Sequence, residues 1–371
     1  MNKHLHIVAF NVPWPADYGG IIDVFYRMKA LSEAGVKLHL HCFTYGRPEA
    51  VELEQYCEEV CYYRRDTSLL KKFGSRPYIV SSRDSAALRH RLAADDYPIL
   101  LEGLHCCSLL EYEDFRSRNI IVRAHNVESD YYRLLARSER TLWRTLFHRI
   151  EAFRLRRYEP ILARASTVLA VSESDKRRFE AMGCRNVVVL TSSHPFSNVQ
   201  TLVGMGNYAL YHGNLAVAEN YRAVEYLAET LFSDGRWRFV VAGNEPPERL
   251  RRMLANYPNV TLVASPDDDT MRRLVREAQV NILYTDQPTG LKLKLLNSLF
   301  SGRHCLVNSA MVAGTDLSQL CCVADDIPSM RESLERLMAS SFDNTQLEKR
   351  VQVLHSLIPS VVNMKIINLL S

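Results

Sequence analysis

Short apolar runs alternate with amphipathic stretches along almost the whole chain, and this alternation restricts the fold more than any other feature of the sequence. Runs of four to eight apolar residues separated by helix-length segments imply parallel strands whose connections are helices covering both faces of a sheet. The first run is Leu5–Phe10, followed by a loop ending in Gly19-Gly20 and a helix predicted over Ile21–Ala34, which stops at Gly35. Val36–Phe43, Glu59–Tyr63, Ile99–Leu101, Asn119–Ala124, Thr167–Val171 and Asn186–Leu190 read as further strands, with helical material from Asp84 to Ala94 and from Glu139 to Ala165. Between Thr191 and Asn207 the pattern gives way to a polar stretch with Gly204 and Gly206, where we place a linker. The alternation then restarts at Tyr208–His212 and runs through strands at Arg238–Ala242, Val260–Val263, Val280–Tyr284 and His304–Asn308 to helices near Ser329–Ser340 and Thr345–Leu357.

The expected architecture is therefore α/β with two Rossmann-like domains facing each other across a cleft: residues 1–191, a linker at 192–206, residues 207–357, and a final segment at 358–371. The length of 371 residues agrees, since one hydrophobic core rarely grows past roughly 250–300 residues. Forty-six basic against 42 acidic side chains leave a formal charge of +4, too small to argue for nucleic acid. Nine cysteines, among them the adjacent pairs Cys106-Cys107 and Cys321-Cys322 in apolar settings, read as buried thiols in a reducing compartment rather than a disulfide framework. Cys57 and Cys61 have no second pair at zinc spacing, so no structural metal is expected. Neither a signal peptide nor a run of roughly 18 apolar residues is present, and a cytoplasmic protein is expected, at most resting on the inner face of a membrane.

In such folds ligands bind beyond the carboxyl ends of strands, so the loops there carry the candidate chemistry. Gly19-Gly20 opens the first helix, where backbone amides can approach an anion, although a plain tight turn explains these residues equally well. The loop has neither the dinucleotide GxGxxG nor the P-loop pattern. Arg123, His125, Asn126 and Glu128 follow one apolar strand and Glu102 ends another, which makes a polar cluster suited to acid–base or sugar contact. Ser172 after the next strand reads as a helix cap. In the second half, His212-Gly213-Asn214 and Gly243 repeat the strand-then-glycine pattern. Gly290 precedes a helical stretch, Leu291–Ser301, carrying Lys292, Lys294 and Asn297. Two ammonium groups at a helix start suit a diphosphate, and the alternative is a solvated face. Arginines are dense from 137 to 164, beside an apolar stripe of Trp143, Leu146, Phe147, Ile150 and Phe153. We read the stripe as packed on its domain and the arginines as solvated, with contact to anionic lipid as the alternative.

Taken in order, the Gly19-Gly20 loop, Arg123–Glu128, Val171–Asp175, His212-Gly213-Asn214 and Gly290–Gly302 resemble the retaining, nucleotide-sugar-dependent glycosyltransferases of the GT-B fold known as glycosyl transferases group 1, from bacterial surface-polysaccharide synthesis. The resemblance implies a carboxy-terminal domain that binds a nucleoside diphosphate sugar as donor and an amino-terminal domain that binds a saccharide or lipid-linked glycan acceptor. It implies Gly20 near the donor phosphates, His125 near the transferred sugar and Lys294 on the diphosphate, with no cofactor, metal or nucleic acid required. It implies also that Pro359–Ser371 crosses back to the amino-terminal domain. Where that family carries Glu-x7-Glu this chain has Thr289 and Asn297, and the basic residues usual after the first strand of the second domain are missing from Asn214–Asn220. Two other readings stay open: an epimerase or hydrolase of the same fold acting on the same nucleotide sugar and, on the departures at Thr289 and Asn297, a non-catalytic partner of a glycosyltransferase complex.

Overall fold

The computed structural model describes residues 3–139, 141–286 and 292–370. The chain forms two compact units, one of Met1–Pro195 with Pro359–Ser371, the other of Phe196–Ile358.

The first unit contains β1 (His4–Ala9), α1 (Gly19–Glu33), β2 (Lys37–Thr44), β3 (Glu59–Arg64), α2 (Leu70–Phe73), α3 (Tyr78–Ser81), α4 (Ala86–Leu92), β4 (Ile99–Glu102), β5 (Ile120–Arg123), α5 (Glu128–Ser138), α6 (Leu142–Tyr158), β6 (Thr167–Ala170), α7 (Glu173–Ala181) and β7 (Val187–Val189). Its strands run parallel in the order β3-β2-β1-β4-β5-β6-β7. β4, β5 and β6 are buried at every position, as expected of central strands with helices on both faces. In β1, Leu5, Ile7 and Ala9 pack with Val24, Met28 and Leu31 of α1, while Val8 joins the core on the other face.

The second unit contains β8 (Ala209–His212), α8 (Ala218–Thr230), β9 (Phe239–Gly243), α9 (Glu248–Leu254), β10 (Val260–Ala264), α10 (Asp268–Glu277), β11 (Val280–Leu283), α11 (Leu293–Ser301), β12 (His304–Val307), α12 (Ser309–Val312), β13 (Cys322–Val323), α13 (Ile327–Met338) and α14 (Asn344–His355). Its strands are again parallel, ordered β10-β9-β8-β11-β12-β13. The last helix, α15 (Pro359–Leu369), belongs to the first unit: Val362 and Ile366 join its core, and the Lys3 ammonium donates to the Ile367 carbonyl at 2.7 Å.

One reading of the sequence is corrected by the helices between β5 and β6. The stretch from 139 to 165 is not one continuous helix; α6 ends at Tyr158 and a 3-10 turn covers Glu159–Arg164, preceded by the separate helix α5. Pro160 has no N–H to donate back to the helix and its ring crowds the preceding turn, so the α-helical ladder stops there.

Sheet order reverses between β1 and β4 in the first unit and between β8 and β11 in the second. At such switch points adjacent connections leave on opposite faces and open a crevice at the strands' carboxyl ends.

On the same face of the first sheet as Val8, but toward the other end, four histidines pair across β1 and β2. His4 Nδ1 lies 3.0 Å from His39 Nε2, and His6 Nδ1 lies 2.9 Å from His41 Nε2. His6 Nε2 meets Asp95 at 2.9 Å, and His41 Nδ1 meets the Tyr63 hydroxyl at 3.0 Å. An imidazole–imidazole hydrogen bond needs one neutral ring as acceptor. Burial depresses the pKa of His4 and His6 and takes His41 down to about 3, with the charge of His6 adding to the effect at His41. The unfolded chain therefore binds more protons than the folded one, and this stability is lost as pH falls from the ordinary histidine range toward those lowered values. We expect the unfolding free energy of the wild type, read by urea denaturation, to fall between about pH 7 and about pH 5 by an amount on the order of a few kcal/mol, and to fall less in His6→Gln/His41→Gln. Equal midpoints at both pH values would contradict this.

Candidate functional site

At the switch point of the first unit the sequence supplies side chains from three elements. Glu102 ends β4, Arg123 ends β5, His125 follows it, and α1 contributes Asp23 and Arg27 one turn apart. Arg27 Nε donates to Glu102 Oε1 at 2.9 Å and its Nη2 lies 2.5 Å from Asp23 Oδ2. Arg123 Nη2 sits 3.1 Å from that same Asp23 oxygen and its Nη1 donates to the Leu190 carbonyl at 2.6 Å. His125 lies between the two carboxylates, its Nε2 3.0 Å from Glu102 Oε2 and its Nδ1 3.4 Å from Asp23 Oδ2. Asp23, Arg27, Glu102 and Arg123 are all buried, whereas the His125 side chain stays 13% exposed. Burial alone would raise the carboxyl pKa values, and it is the largest single influence at both; the Arg27 guanidinium together with Arg123 at Asp23 and with His125 at Glu102 outweighs it, so both are held below the usual carboxylate range. Glu102 has both oxygens engaged within the fold, and the open edge of the cluster belongs to His125.

Around that edge, Gly103 adopts φ +85, a conformation that favours glycine, and a Cβ there would lie 3.0 Å from His105 Nδ1 and 3.5 Å from the His125 ring. His105 Nδ1 is buried and has no hydrogen-bond partner among the described residues. Gly19 and Gly20 begin α1, and a Cβ on Gly20 would come within 3.2 Å of the Phe10 ring, whose centroid is 5.6 Å from that of His125. Glu128 begins α5 in a buried position that pushes its carboxyl up to about 7 despite a hydrogen bond with Asn126. Ser172 caps α7 as expected, accepting the Asp175 N–H at 3.1 Å.

The switch point of the second unit gathers β8, the first turn of α8 and the start of α11. Lys292 is the N-cap of α11 and Lys294 lies in its first turn. The Lys294 ammonium donates to Asn220 Oδ1 at 2.9 Å and to the Tyr211 hydroxyl at 3.3 Å, 5.3 Å from that ring's centroid. Tyr211 Oη donates to Asn220 Oδ1 at 3.2 Å. Burial brings Lys294 down to about 8, against the opposing pull of Glu219 and with repulsion from Lys292. Lys292 is lowered too, by burial. His212 Nε2 lies 2.9 Å from Ser298 Oγ, tying the end of β8 to α11, and burial with the Lys294 charge takes that imidazole down to about 3.

The glycines here serve close packing. A Cβ on Gly243 would collide with the Gly213 carbonyl and come within 2.8 Å of Leu215, and Gly213 itself lies against the Asn220 side chain. Gly243→Ala is expected to cost about 1–3 kcal/mol through overpacking and to displace the loop after β8, read as a lower thermal midpoint; an unchanged midpoint would count against it. Asn214 turns that loop, accepting the Ala216 N–H at 3.0 Å. Asn297 is half-buried and accepts from Ser301 Oγ at 3.5 Å. Gly290 and Thr289 lie outside the described residues.

Asp23, Arg27, Tyr211, Glu219 and Asn220 were not among the candidates drawn from the sequence. Asp23 and Arg27 carried one signal, an i, i+4 pair of opposite charge in a helix otherwise rich in apolar residues.

No protein-family model matches the chain. A curated relative from Klebsiella pneumoniae, called an uncharacterized 44.6 kDa protein in the cps region, is 23% identical over 311 residues, 79% of each chain. Among solved structures, sucrose-phosphate synthase from Thermosynechococcus elongatus superposes with a TM-score of 0.68 at 13% identity, over 99% of this chain and 98% of that one. The lipopolysaccharide outer core galactosyltransferase WaaB gives 0.65 at 11% identity over 99% of each chain. S. aureus TarM, solved with UDP and α-GlcNAc-glycerol, gives 0.64 at 10% identity over 100% of each. The chain has the GT-B fold. Both sheets of that GT-B fold carry their polar clusters at the strand ends where the order reverses.

Proposed function

We propose that this protein is a glycosyltransferase that moves a hexose from a nucleoside diphosphate sugar to a saccharide or lipid-linked glycan in cell-surface polysaccharide synthesis. The observation that carries the reading is the start of α11, where Lys292 and Lys294 stand together at a helix N-terminus with Lys294 withdrawn from water against Tyr211 and Asn220. Bringing two cations together in a dehydrated place costs free energy, and an anionic ligand offsets that cost. In this reading Lys294 and Lys292 oppose the diphosphate, Gly213, Asn214 and Gly243 shape the backbone around the donor, and Asn297 offers an uncharged amide to it. The lysines of α11 thereby take over the positive charge that the loop Asn214–Asn220 lacks. A cps-region relative supports the polysaccharide context.

In the amino-terminal unit His125 is proposed to meet the transferred sugar, with Gly19 and Gly20 offering helix amides to anionic groups of the donor. Glu102 and Asp23 are positioning residues, since each acts through His125 and the arginines rather than through an open edge. Catalysis then consists of holding the donor and stabilising its leaving diphosphate. Transfer with retention of configuration follows from the resemblance, and proton NMR of the product's anomeric signal tests it. Because ammonium groups supply the positive charge, activity is expected to persist in EDTA.

Thermal unfolding against a panel of nucleoside diphosphates and their sugars is the direct test, because a ligand bound by the native state alone adds RT ln(1 + [L]/Kd) to the folding stability and so raises the midpoint. One nucleotide family should shift it, followed by sugar transfer with that donor. Hydrolysis of the donor at equal rate without any acceptor would favour a hydrolase, and no shift with any donor would favour a non-catalytic partner. Asn297, uncharged where the resembling family has a carboxylate, is the observation that keeps this last reading in play.

A further inference from the structure

Helix α6 faces the opposite way from the orientation its sequence led us to expect. Its inward side is formed by Glu151, Ala152 and Leu155, with Phe147 against Tyr78. Leu142, Trp143, Leu146, Ile150 and Phe153 lie outward, with exposures from 42% for Ile150 to 84% for Leu142. At about 100° per residue these five fall within one arc of the helix, and Arg149 and Arg156 border it on one side. Arg157 lies within the arc, its guanidinium 5.2 Å from the Phe153 ring centroid. Beside α6 sits the short helix α2, joined to it by a hydrogen bond of 2.7 Å from Arg154 to the Lys72 carbonyl, and there Leu70 and Phe73 are 84% and 79% exposed.

The charge along the outer arc of α6 has one sign. Arg149, Arg156 and Arg157 are exposed and, among the described residues, none of them is in an ion pair. The only acid on α6, Glu151, is buried and held by the Tyr78 N–H and Arg154. Lys71 and Lys72 extend the basic character to α2, the former 3.9 Å from Asp66. Monomeric proteins rarely leave apolar side chains of this size contiguous in water. A helix with Trp, Leu, Ile and Phe on its outer arc and arginines along its border matches an anionic lipid interface, where the apolar arc enters the acyl boundary and the guanidinium groups meet phosphates.

We propose that the outer faces of α6 and α2 form a membrane-contact surface that seats the protein on anionic bilayers. The proposal does not depend on the transferase reading, because it is tested without donor or acceptor. Full-length protein is spun with vesicles of phosphatidylcholine alone and with vesicles that also contain phosphatidylglycerol. It should sediment with the second, be released by added salt, and show a blue shift of Trp143 fluorescence on binding. Ile150→Glu/Phe153→Glu alters exposed positions only and should abolish sedimentation with the thermal midpoint unchanged; Arg149→Ser/Arg156→Ser should weaken it by about tenfold or more. Equal sedimentation with both lipids, none with either, or full binding by the Ile150→Glu/Phe153→Glu variant would overturn the proposal. So would a lipid-free dimer in sedimentation velocity that the same variant disperses, since the face would then belong to a second copy.

Discussion

Asp23→Ala is expected to destabilise the amino-terminal unit by about 3–5 kcal/mol, because removing one partner from a buried ion network leaves the others desolvated and unpaired. One oxygen of Asp23 meets both Arg27, at 2.5 Å, and Arg123, at 3.1 Å, and the other accepts the Ser193 N–H at 2.5 Å. Without it, two fully buried guanidinium groups share the single carboxylate of Glu102, and the segment after β7 loses its anchor on α1. Asp23→Asn keeps the shape and loses the charge, so a comparably large loss in that variant assigns the effect to electrostatics. Urea unfolding of the full chain near neutral pH reads the difference, and a change below about 1 kcal/mol, the worth of an ordinary hydrogen bond, would refute it. The sign with pH is fixed by the same contacts. Both carboxyl pKa values are depressed on folding, so the stabilisation is present above the ordinary carboxylate range and disappears as acid titrates through the lowered values. In Asp23→Asn part of that acid sensitivity should be gone.

Lys294→Ala should lower sugar transfer by about 10²–10³-fold, the usual consequence of removing one preorganised charge from a developing anion. The fold should survive, because Tyr211 and Asn220 remain hydrogen-bonded to each other at 3.2 Å when the ammonium is gone. Lys294→Arg restores charge without the compact ammonium and should recover only part of the rate. With a pKa brought down to about 8, the wild-type ammonium is lost as pH rises through that value, so affinity for the nucleoside diphosphate should weaken in mildly alkaline buffer. Titration calorimetry across that interval checks it, and Lys294→Arg should be flat over the same range. Wild-type turnover in Lys294→Ala would remove this residue from the mechanism.

The two clusters differ in how much the sequence revealed of them. The α/β alternation, the glycines after β1, β8 and β9 and the lysines opening α11 are all local, and local spacing is what hydrophobic periodicity and turn chemistry report. His125 and Glu102 were visible as polar residues at strand ends for the same reason. Their partners were not, since Asp23 and Arg27 come from a helix some 75–100 residues away and meet them only because β1, β4 and β5 are neighbours in the sheet. Lys294 illustrates the same division in the second unit. Its place near a helix start was legible, whereas its withdrawal from water depends on Tyr211 and Asn220, brought across from β8 and α8 by the pairing of β8 with β11.

The clearest separation is in α6. From the sequence alone came a stripe of Trp143, Leu146, Phe147, Ile150 and Phe153 near helical spacing and a border of arginines, because side-chain positions around a helix repeat every 3.6 residues; of these only Phe147 turns inward, against Tyr78. Which way that stripe points is not a property of the helix. It was decided by Glu151, which accepts from the backbone of Tyr78, and by Ala152 and Leu155 entering the core, contacts between residues far apart in the chain that turn the apolar arc to the outside. Periodicity is written locally, and the partner that a face meets is settled only when distant elements pack.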